Sequence, residues 1–405
     1  LYSPETLKSF QDLAATGCVE FLAETYSHSL VSIKNEREFR KQVEMQVKKV
    51  ESLFGQTPKV FRNTELVYSD KIGDMVSGMG FKAMLSEGAK HVLGWKSPNF
   101  VYCNTNNSKL KLLLRNYKLS DDIAFRFGNQ AWNEWPLTAG KFTAWLEAID
   151  KKEEVVNLFM DYETFGEHQW EGSGIFEFLK AFPAEVLSKK QFKFSTPSEV
   201  AQEFEPVSVL NVPHHVSWAD EERDLTAWLG NNLQWEAFDN LYSLSDEIAQ
   251  IEDKSIQNDW LRLQNSDHFY YMCTKFFADG AVHQYFNPFK SPYDAFINYM
   301  NVLADFSERV KAAPKTLKIK NEDFIKPLVD DKPYVLKTSA VESATSSKQT
   351  KKKIADAVEE KKSAGKKVVD GKKATTKTSE SLTKEKKTAI KTKAAPVIDK
   401  VLKNP

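Results

Sequence analysis

The first 215 or so residues alternate short apolar runs with amphipathic stretches, and this alternation constrains the fold more than any other feature. In residues 36–54 the apolar side chains recur every three or four positions, which predicts a helix with one buried face. Thr196 followed by Pro197 is typical of a helix start. The apolar runs predict strands at residues 18–22, 59–62, 83–85, 100–103, 123–127, 155–160, 192–195 and 207–210. The repeated order of strand, loop and helix predicts an α/β fold with a parallel sheet or barrel.

The next stretch of the chain has a different pattern. From about residue 220 to residue 312 the apolar residues keep helical spacing, and aromatic residues are frequent. Most of these aromatic residues stand at positions typical of a helical core. We therefore expect a (β/α) domain over residues 1–220, a helical subdomain over residues 221–315 that packs on it, and a connecting segment over residues 316–336.

Residues 337–405 form a basic tail. They include 19 Lys, no Arg, 8 acidic residues and no Phe, Trp or Tyr, so the tail carries a net charge of +11. A segment without aromatic residues buries too little apolar surface to offset the entropy lost on ordering, and we expect the tail to be disordered. A weak contact between its lysines and a polyanion is the alternative to simple solvation.

The composition excludes several classes of protein. The whole chain has zero net charge, so residues 1–336 are acidic, which is unlike a nucleic-acid-binding domain. Three scattered Cys without a CxxC pair argue against a disulfide scaffold or a zinc ribbon, and they favour a reducing, cytoplasmic location. Because no apolar run reaches the roughly 18 residues of a membrane span, we expect no membrane partner.

Acidic and polar residues directly follow two of the predicted strands. In VVNLFMDYETFGEHQW the apolar run ends at Asp161, and Glu163 and His168 follow it closely. In PKVFRNTELVYSD the carboxyl group of Glu65 stands among apolar residues after a strand, with Arg62 as the nearest charge that could keep it ionised. Loops at the carboxyl ends of the strands carry the active site in α/β barrels, so these residues are candidates for catalysis.

Two further motifs are weaker when each is taken alone. GCVEFLAETYSHS contains Glu20 and His28, and NSDHFYYM contains Asp267 and His268 beside three aromatic residues. The seven His match no zinc motif, and the sequence lacks GxGxxG after a strand, GxxxxGK[ST] and G-x-S-x-G, so we expect neither a metal nor an organic cofactor. Two strand-end carboxylates in aromatic-rich surroundings favour glycoside hydrolysis.

Four segments of the chain resemble motif regions of the α-amylase-like proteins of glycoside hydrolase family 57, namely GCVEFLAETYSHS, VFRNTELVYS, FMDYETFGEHQW and NSDHFYYMCTK. The resemblance runs over about residues 5 to 310, in the order of the family. It implies an incomplete seven-stranded (β/α) barrel followed by a helical subdomain, and a retaining reaction on α-1,4-glucans. The first motif of the family, His-Gln-Pro, is absent, and we expect the barrel to lack its first strands.

The same resemblance implies roles for individual residues. Glu65 matches the family's nucleophile, and Asp161 matches its general acid/base. The residues that we predict to contact the substrate are Glu20, His28, Arg62, Glu163, His168, Trp170, Asp267 and His268. Three functions stay open: hydrolysis of an α-glucan or maltooligosaccharide, transfer of glucan chains by a 4-α-glucanotransferase or branching enzyme with the same residues, and glucan binding without catalysis.

Overall fold

The computed structural model describes residues 3–275, 287–317 and 327–329 of the chain. The chain divides into two units, Leu1–Thr338 and Ser339–Pro405, and every described residue belongs to the first. The predicted basic tail and most of the predicted connecting segment lie outside the described residues, so both stay predictions. In the described part, no helix is long and apolar enough to cross a membrane.

The described strands form one mixed sheet. They are β1 (Val60–Arg62), β2 (Ala83–Glu87), β3 (Tyr102–Asn104), β4 (Lys111–Arg115) and β5 (Ser208–Leu210), in the spatial order β1-β2-β4-β3-β5. β1 pairs with β2, β2 with β4 and β3 with β5 in parallel, whereas β3 and β4 are antiparallel. The register places Arg62 opposite Leu85 and Glu87 opposite Arg115, so β1, β2 and β4 end at the same edge. The predicted α/β class is confirmed.

Helices connect these strands and follow them. Up to the last strand they are α1 (Pro4–Ala15), α2 (Glu36–Phe54), α3 (Asp70–Gly78), α4 (Lys90–Leu93), α5 (Tyr117–Asp121), α6 (Ala139–Glu147), α7 (Ile175–Ser188) and α8 (Pro197–Glu203). The described helices after the last strand are α9 (Thr226–Leu229), α10 (Asn232–Ser243), α11 (Ser245–Ile248), α12 (Lys254–Leu263), α13 (Asp267–Tyr270) and α14 (Pro292–Ala312).

Local signals in the sequence explain several helix ends. The side chain of Asn35 accepts a hydrogen bond from the first turn of α2, and Gly55 ends that helix at a φ of 67°, which favours glycine. Thr196 and Glu199 form a reciprocal capping box at the start of α8. The predicted helix over residues 36–54 therefore has the predicted bounds.

The predicted strands at 59–62, 83–85, 100–103 and 207–210 are present, with bounds shifted by one or two residues. The strand predicted at residues 123–127 is wrong, because the chain continues from α5 into a π-helix, Asp122–Arg126. No strand forms within 18–22 or 192–195.

The strand predicted at residues 155–160 is reduced to one parallel bridge, between Asn157 and Arg115. Around Asn157 the backbone still bonds to the end of β4, where the N–H of Asn116 donates to the carbonyl oxygen of Asn157 at 2.9 Å, but both backbone groups of Phe159 bond to side chains. The carbonyl oxygen of Phe159 accepts from the Nε of Arg115 at 2.7 Å, and its N–H donates to the Oγ of Ser120 at 3.2 Å. These two bonds satisfy the backbone groups of Phe159 that a longer strand would have paired with a neighbouring strand.

Two apolar clusters receive alternate residues of the sheet strands. Phe61, Met84 and Leu112 belong to the larger cluster, which also holds the buried faces of α2 and of the helices that follow the last strand. Val60 and Leu113 belong to a smaller cluster on the other side. The helical stretch thus shares its main core with the sheet. A third cluster joins α6 and α7.

Candidate functional site

A cavity of about 1010 Å³ lies at the edge where β1, β2 and β4 end. Its acidic lining residues come from segments that are far apart in the chain, and they include Glu65, Asp121, Asp161, Glu163, Asp220, Glu221 and Asp267. Basic and aromatic residues line it as well, among them Arg115, Arg126, Arg223, His168, Tyr117, Phe125, Trp218, Trp228 and Tyr270. A cleft with converging polar groups and aromatic walls is the kind of site that binds a polar, ring-shaped ligand.

Glu65 lies three residues after the end of β1 in a strained turn. Its φ is 56°, and the φ of the next residue, Leu66, is 53°. Both values lie in the left-handed region, which is unfavourable for residues other than glycine. The turn directs the Glu65 carboxylate to two donors: Oε1 lies 3.0 Å from Nε2 of His28, and Oε2 accepts from the Nε1 of Trp218 at 2.7 Å.

His28 supplies a positive charge next to this carboxylate. Its second ring nitrogen, Nδ1, lies 3.5 Å from Oε1 of Glu24. Burial lowers the pKa of His28, but the hydrogen bonds and charges of Glu24 and Glu65 outweigh burial and raise that pKa to about 10. His28 is therefore an imidazolium at neutral pH.

The electrostatic surroundings keep Glu65 ionised. Burial alone raises its pKa, but the hydrogen bonds from His28 and Trp218 and the charges of His28 and Arg62 bring the pKa below its ordinary value. Arg62 forms its ion pair with Glu24, at 3.4 Å, and acts on Glu65 as a nearby charge. Arg62, the predicted neighbour, thus lowers the pKa of Glu65, but His28 lowers that pKa more.

Asp161 has the opposite electrostatic situation. Burial by surrounding protein atoms raises its pKa, and the negative charges of Glu163 and Glu65 raise it further, against Arg62 and His28. The pKa reaches about 6, compared with an ordinary 3.8. The carboxyl group is still open to the cavity, where its side chain is exposed. One cavity therefore holds a carboxylate with a low pKa and a carboxyl group with a raised pKa.

Four charged residues form a cluster beside Trp218. Arg115 lies 3.2 Å from Glu87 and 2.5 Å from Asp121, and Arg223 lies 3.7 Å from Glu87 and 3.3 Å from Asp121. Glu87 and Arg115 are almost completely buried. Burial raises the pKa of Glu87 to about 7, although both arginines oppose this. Each arginine is paired with both carboxyl groups, so the charges of this buried cluster have partners inside the protein.

Among the described residues, no group of three or more His, Cys, Asp or Glu side chains has an arrangement that could hold a metal ion.

Comparisons with known proteins identify the family. Residues 1–213 match the profile of Glycosyl hydrolase family 57. A protein of Methanocaldococcus jannaschii named "Putative alpha-amylase" is 42% identical over 321 residues, which cover 76% of this chain and 68% of that protein. The chain belongs to glycosyl hydrolase family 57. It is an α-amylase-like glycoside hydrolase of that family.

Solved structures of family 57 proteins share the fold. A branching enzyme from Thermococcus kodakaraensis, in complex with glucose and additives, has a TM-score of 0.54 at 14% identity and covers 82% of this chain and 76% of its own. A branching enzyme from Pyrococcus horikoshii has a TM-score of 0.56 at 16% identity, with 81% and 74% covered.

Five of the ten predicted site residues of this family 57 chain line the cavity, Glu65 among them, and two more, His28 and Arg62, lie next to Glu65. Asp161, Glu163 and His168 line it from the loop after the 155–160 segment, and Asp267 lines it from the start of α13. Burial raises the pKa of Asp267, and the charge of His28 opposes this.

Three predicted site residues lie elsewhere. Glu20 accepts hydrogen bonds from the N–H and the hydroxyl group of Ser198 at the start of α8, so it has a structural partner. The ring of His268 packs on Tyr299, and its Nε2 lies 3.1 Å from the carbonyl oxygen of Arg262. Trp170 is 69% exposed and is not among the residues that line the cavity.

The sequence analysis missed Trp218, Arg115, Asp121 and Arg223. Arg115 ends β4, which the strand assignment also missed, although the apolar run of residues 112–114 is a strand signal. No sequence motif marks the other three, because their importance comes from contacts with residues distant in the chain.

Proposed function

We propose that this chain is a retaining glycoside hydrolase of α-1,4-glucans, in which Glu65 is the nucleophile and Asp161 the general acid/base. The observation that carries the proposal is that one cavity holds two carboxyl groups in opposite surroundings. Glu65 lies between the donors of His28 and Trp218, which lower its pKa, and Asp161 lies near the negative charges of Glu163 and Glu65, which with burial raise its pKa to about 6. A retaining glycosidase needs one carboxylate ionised to attack and one carboxyl group protonated to donate.

The reaction proceeds in two steps. The Glu65 carboxylate attacks the anomeric carbon, and the bond to the leaving glycosidic oxygen breaks as Asp161 donates its proton to that oxygen. In the second step Asp161 takes a proton from water while the water oxygen attacks the anomeric carbon. The bond to Glu65 breaks, and the sugar is released with its original anomeric configuration. His28 and Trp218 hold the Glu65 carboxyl group in place while it forms its bond to the sugar and while that bond is broken again.

The substrate follows from the family resemblance and from the lining of the cavity. The relative from Methanocaldococcus jannaschii carries an α-amylase name. The cavity combines carboxylates, which accept hydrogen bonds from sugar hydroxyl groups, with the aromatic rings of Tyr117, Phe125 and Trp228, which suit the apolar faces of sugar rings. A stretch of α-1,4-linked glucose fits both features.

The barrel is part of the same proposal. Ala23 forms a parallel bridge with Phe61 of β1, and Asn157 forms one with Arg115 of β4. These bridges support a wall in which the segments around Ala23 and Asn157 run beside β1 and β4. We assign the sheet to an incomplete seven-stranded (β/α) barrel on this basis.

Two substitutions test the catalytic roles. Glu65→Ala is expected to abolish turnover of every substrate, including glycosyl fluorides. Asp161→Ala is expected to reduce turnover of glucans by about 10²- to 10⁴-fold but to affect fluorides much less, since fluoride leaves without a proton. Azide should rescue Glu65→Ala with inverted product and Asp161→Ala with retained product. If both variants lost activity on fluorides equally and azide gave no product with either, the general acid would be a residue other than Asp161.

Product analysis separates hydrolysis from transfer. Incubation with a single maltooligosaccharide is expected to give shorter chains. Products longer than the substrate, or branched products, would show that a sugar hydroxyl group replaces water in the second step.

A further inference from the structure

The indole of Trp218 is fixed on several sides next to Glu65. Its Nε1 donates to Oε2 of Glu65 at 2.7 Å, and its backbone N–H donates to the carbonyl oxygen of Glu65 at 3.3 Å. The guanidinium groups of Arg62 and Arg115 lie 4.8 Å and 5.6 Å from the ring centre, within the range of cation–π attraction. Arg223 donates to the backbone carbonyl oxygen of Trp218.

The arginines around this indole are themselves anchored. Arg115 and Arg223 share the same two acidic partners, Glu87 and Asp121. The side chain of Glu87 is completely buried, and that of Arg115 is 3% exposed, so this ion pair is shielded from water. Arg115 also reaches the carbonyl oxygen of Phe159, two residues before Asp161. Through Arg115 the cluster therefore contacts both the indole that binds Glu65 and the backbone that leads to Asp161.

We infer that Trp218 is a positioning residue for Glu65, and that the cluster of Glu87, Arg115, Asp121 and Arg223 sets the position of its indole. The inference rests on the proposed function, in which Glu65 is the nucleophile. An indole N–H donates and never accepts or loses its proton, so it presents the same donor to Oε2 at every working pH. His28 holds Oε1 from a different segment, and the two donors together fix the plane of the carboxylate.

The test is Trp218→Phe in the full chain, because phenylalanine keeps an aromatic ring for the arginines and loses the N–H donor together with part of the indole's volume. We expect kcat on a maltooligosaccharide to fall about tenfold to hundredfold, the effect of one hydrogen bond to a charged group, with KM little changed. The acidic limb of the pH profile should move to higher pH, since the ionised form of Glu65 loses a donor.

The matched control is Trp260→Phe. Trp260 is fully buried, and its Nε1 donates to Oε1 of Glu38 at 2.9 Å, so this variant loses the same kind of bond away from the cavity. We expect lower stability and an unchanged pH profile. A pH profile and kcat of Trp218→Phe equal to those of the wild type, or the same change in Trp260→Phe, would overturn the inference while leaving the function of an active wild type intact.

A second measurement does not depend on turnover. In protein labelled with 5-fluorotryptophan, the fluorine signal of Trp218 is assigned by its loss in Trp218→Phe. Glu65→Gln and Arg115→Lys should each move this signal and leave that of Trp260 in place. If neither variant moves the Trp218 signal, the positioning role is wrong, even if the glucan activity is absent or present for other reasons.

Discussion

Replacing Glu163 with glutamine removes one of the two negative charges that raise the pKa of Asp161. The Asp161 side chain is exposed to the cavity, so solvent screens this interaction. A like charge nearby in water-like surroundings contributes about 1 kcal/mol, which is about 0.7 of a pKa unit. The pKa of Asp161, about 6 in the wild type, should therefore fall in the variant by somewhat less than one unit.

The sign of the effect on activity follows from the role proposed for Asp161. As general acid it must hold a proton, so kcat/KM decreases as the pH rises through its pKa. With a lower pKa, Asp161 of the variant loses its proton at a lower pH. The basic limb of the kcat/KM profile therefore moves to lower pH. At pH 7 the protonated fraction should fall about fivefold, and kcat/KM on glucans should fall with it.

The assay is kcat/KM against pH on a maltooligosaccharide and on an α-maltosyl fluoride. The basic limb should be present with the first substrate and nearly absent with the second, which needs no proton. Glu167→Gln is the control, because Glu167 belongs to the same loop, whereas the negative charges with the largest effect on the pKa of Asp161 are those of Glu163 and Glu65. A limb that stays in place in Glu163→Gln, or moves equally in Glu167→Gln, would refute the reasoning.

Three other perturbations have defined outcomes. His28→Gln removes the imidazolium beside Glu65, so the acidic limb of the kcat/KM profile should move to higher pH; in the wild type no limb from His28 should appear between pH 5 and 8, since its pKa is about 10. Phe142→Ala removes a fully buried ring from the third cluster and should lower the free energy of unfolding, measured in urea, by about 3–5 kcal/mol. Removal of residues 337–405 should abolish salt-sensitive retention on a polyanion column and leave glucan turnover unchanged.

Features with short-range causes were open to prediction from the sequence. The helix over residues 36–54 depends on apolar spacing and on its own caps, and the start of α8 depends on Thr196 and Glu199. Glu65 and Asp161 could be chosen as candidates because Asp161 directly follows an apolar run and Glu65 lies three residues after a short strand. In all of these cases the decisive neighbours lie within a few residues along the chain.

Features that depend on distant partners were not open to prediction in this way. Residues 155–160 are apolar enough for a strand, but Arg115 and Ser120 occupy backbone groups that a strand would use. The ring of Trp218 owes its place to side chains that are about 100 to 150 residues away in the sequence. Arg62 was a reasonable candidate for the neighbour of Glu65, but the closer cation, His28, comes from a loop that the sequence alone does not place.

The left-handed turn at Glu65 and Leu66 lowers the stability of the fold while it positions the proposed catalytic carboxylate. Two adjacent non-glycine residues at positive φ cost about 1–2 kcal/mol each. Glu65→Gly or Glu65→Asn relieves part of it, since both residues tolerate this backbone conformation. Laboratory evolution that selects for thermal resistance without selecting for turnover should therefore act on this turn, and a replacement at position 65 would discard the proposed nucleophile.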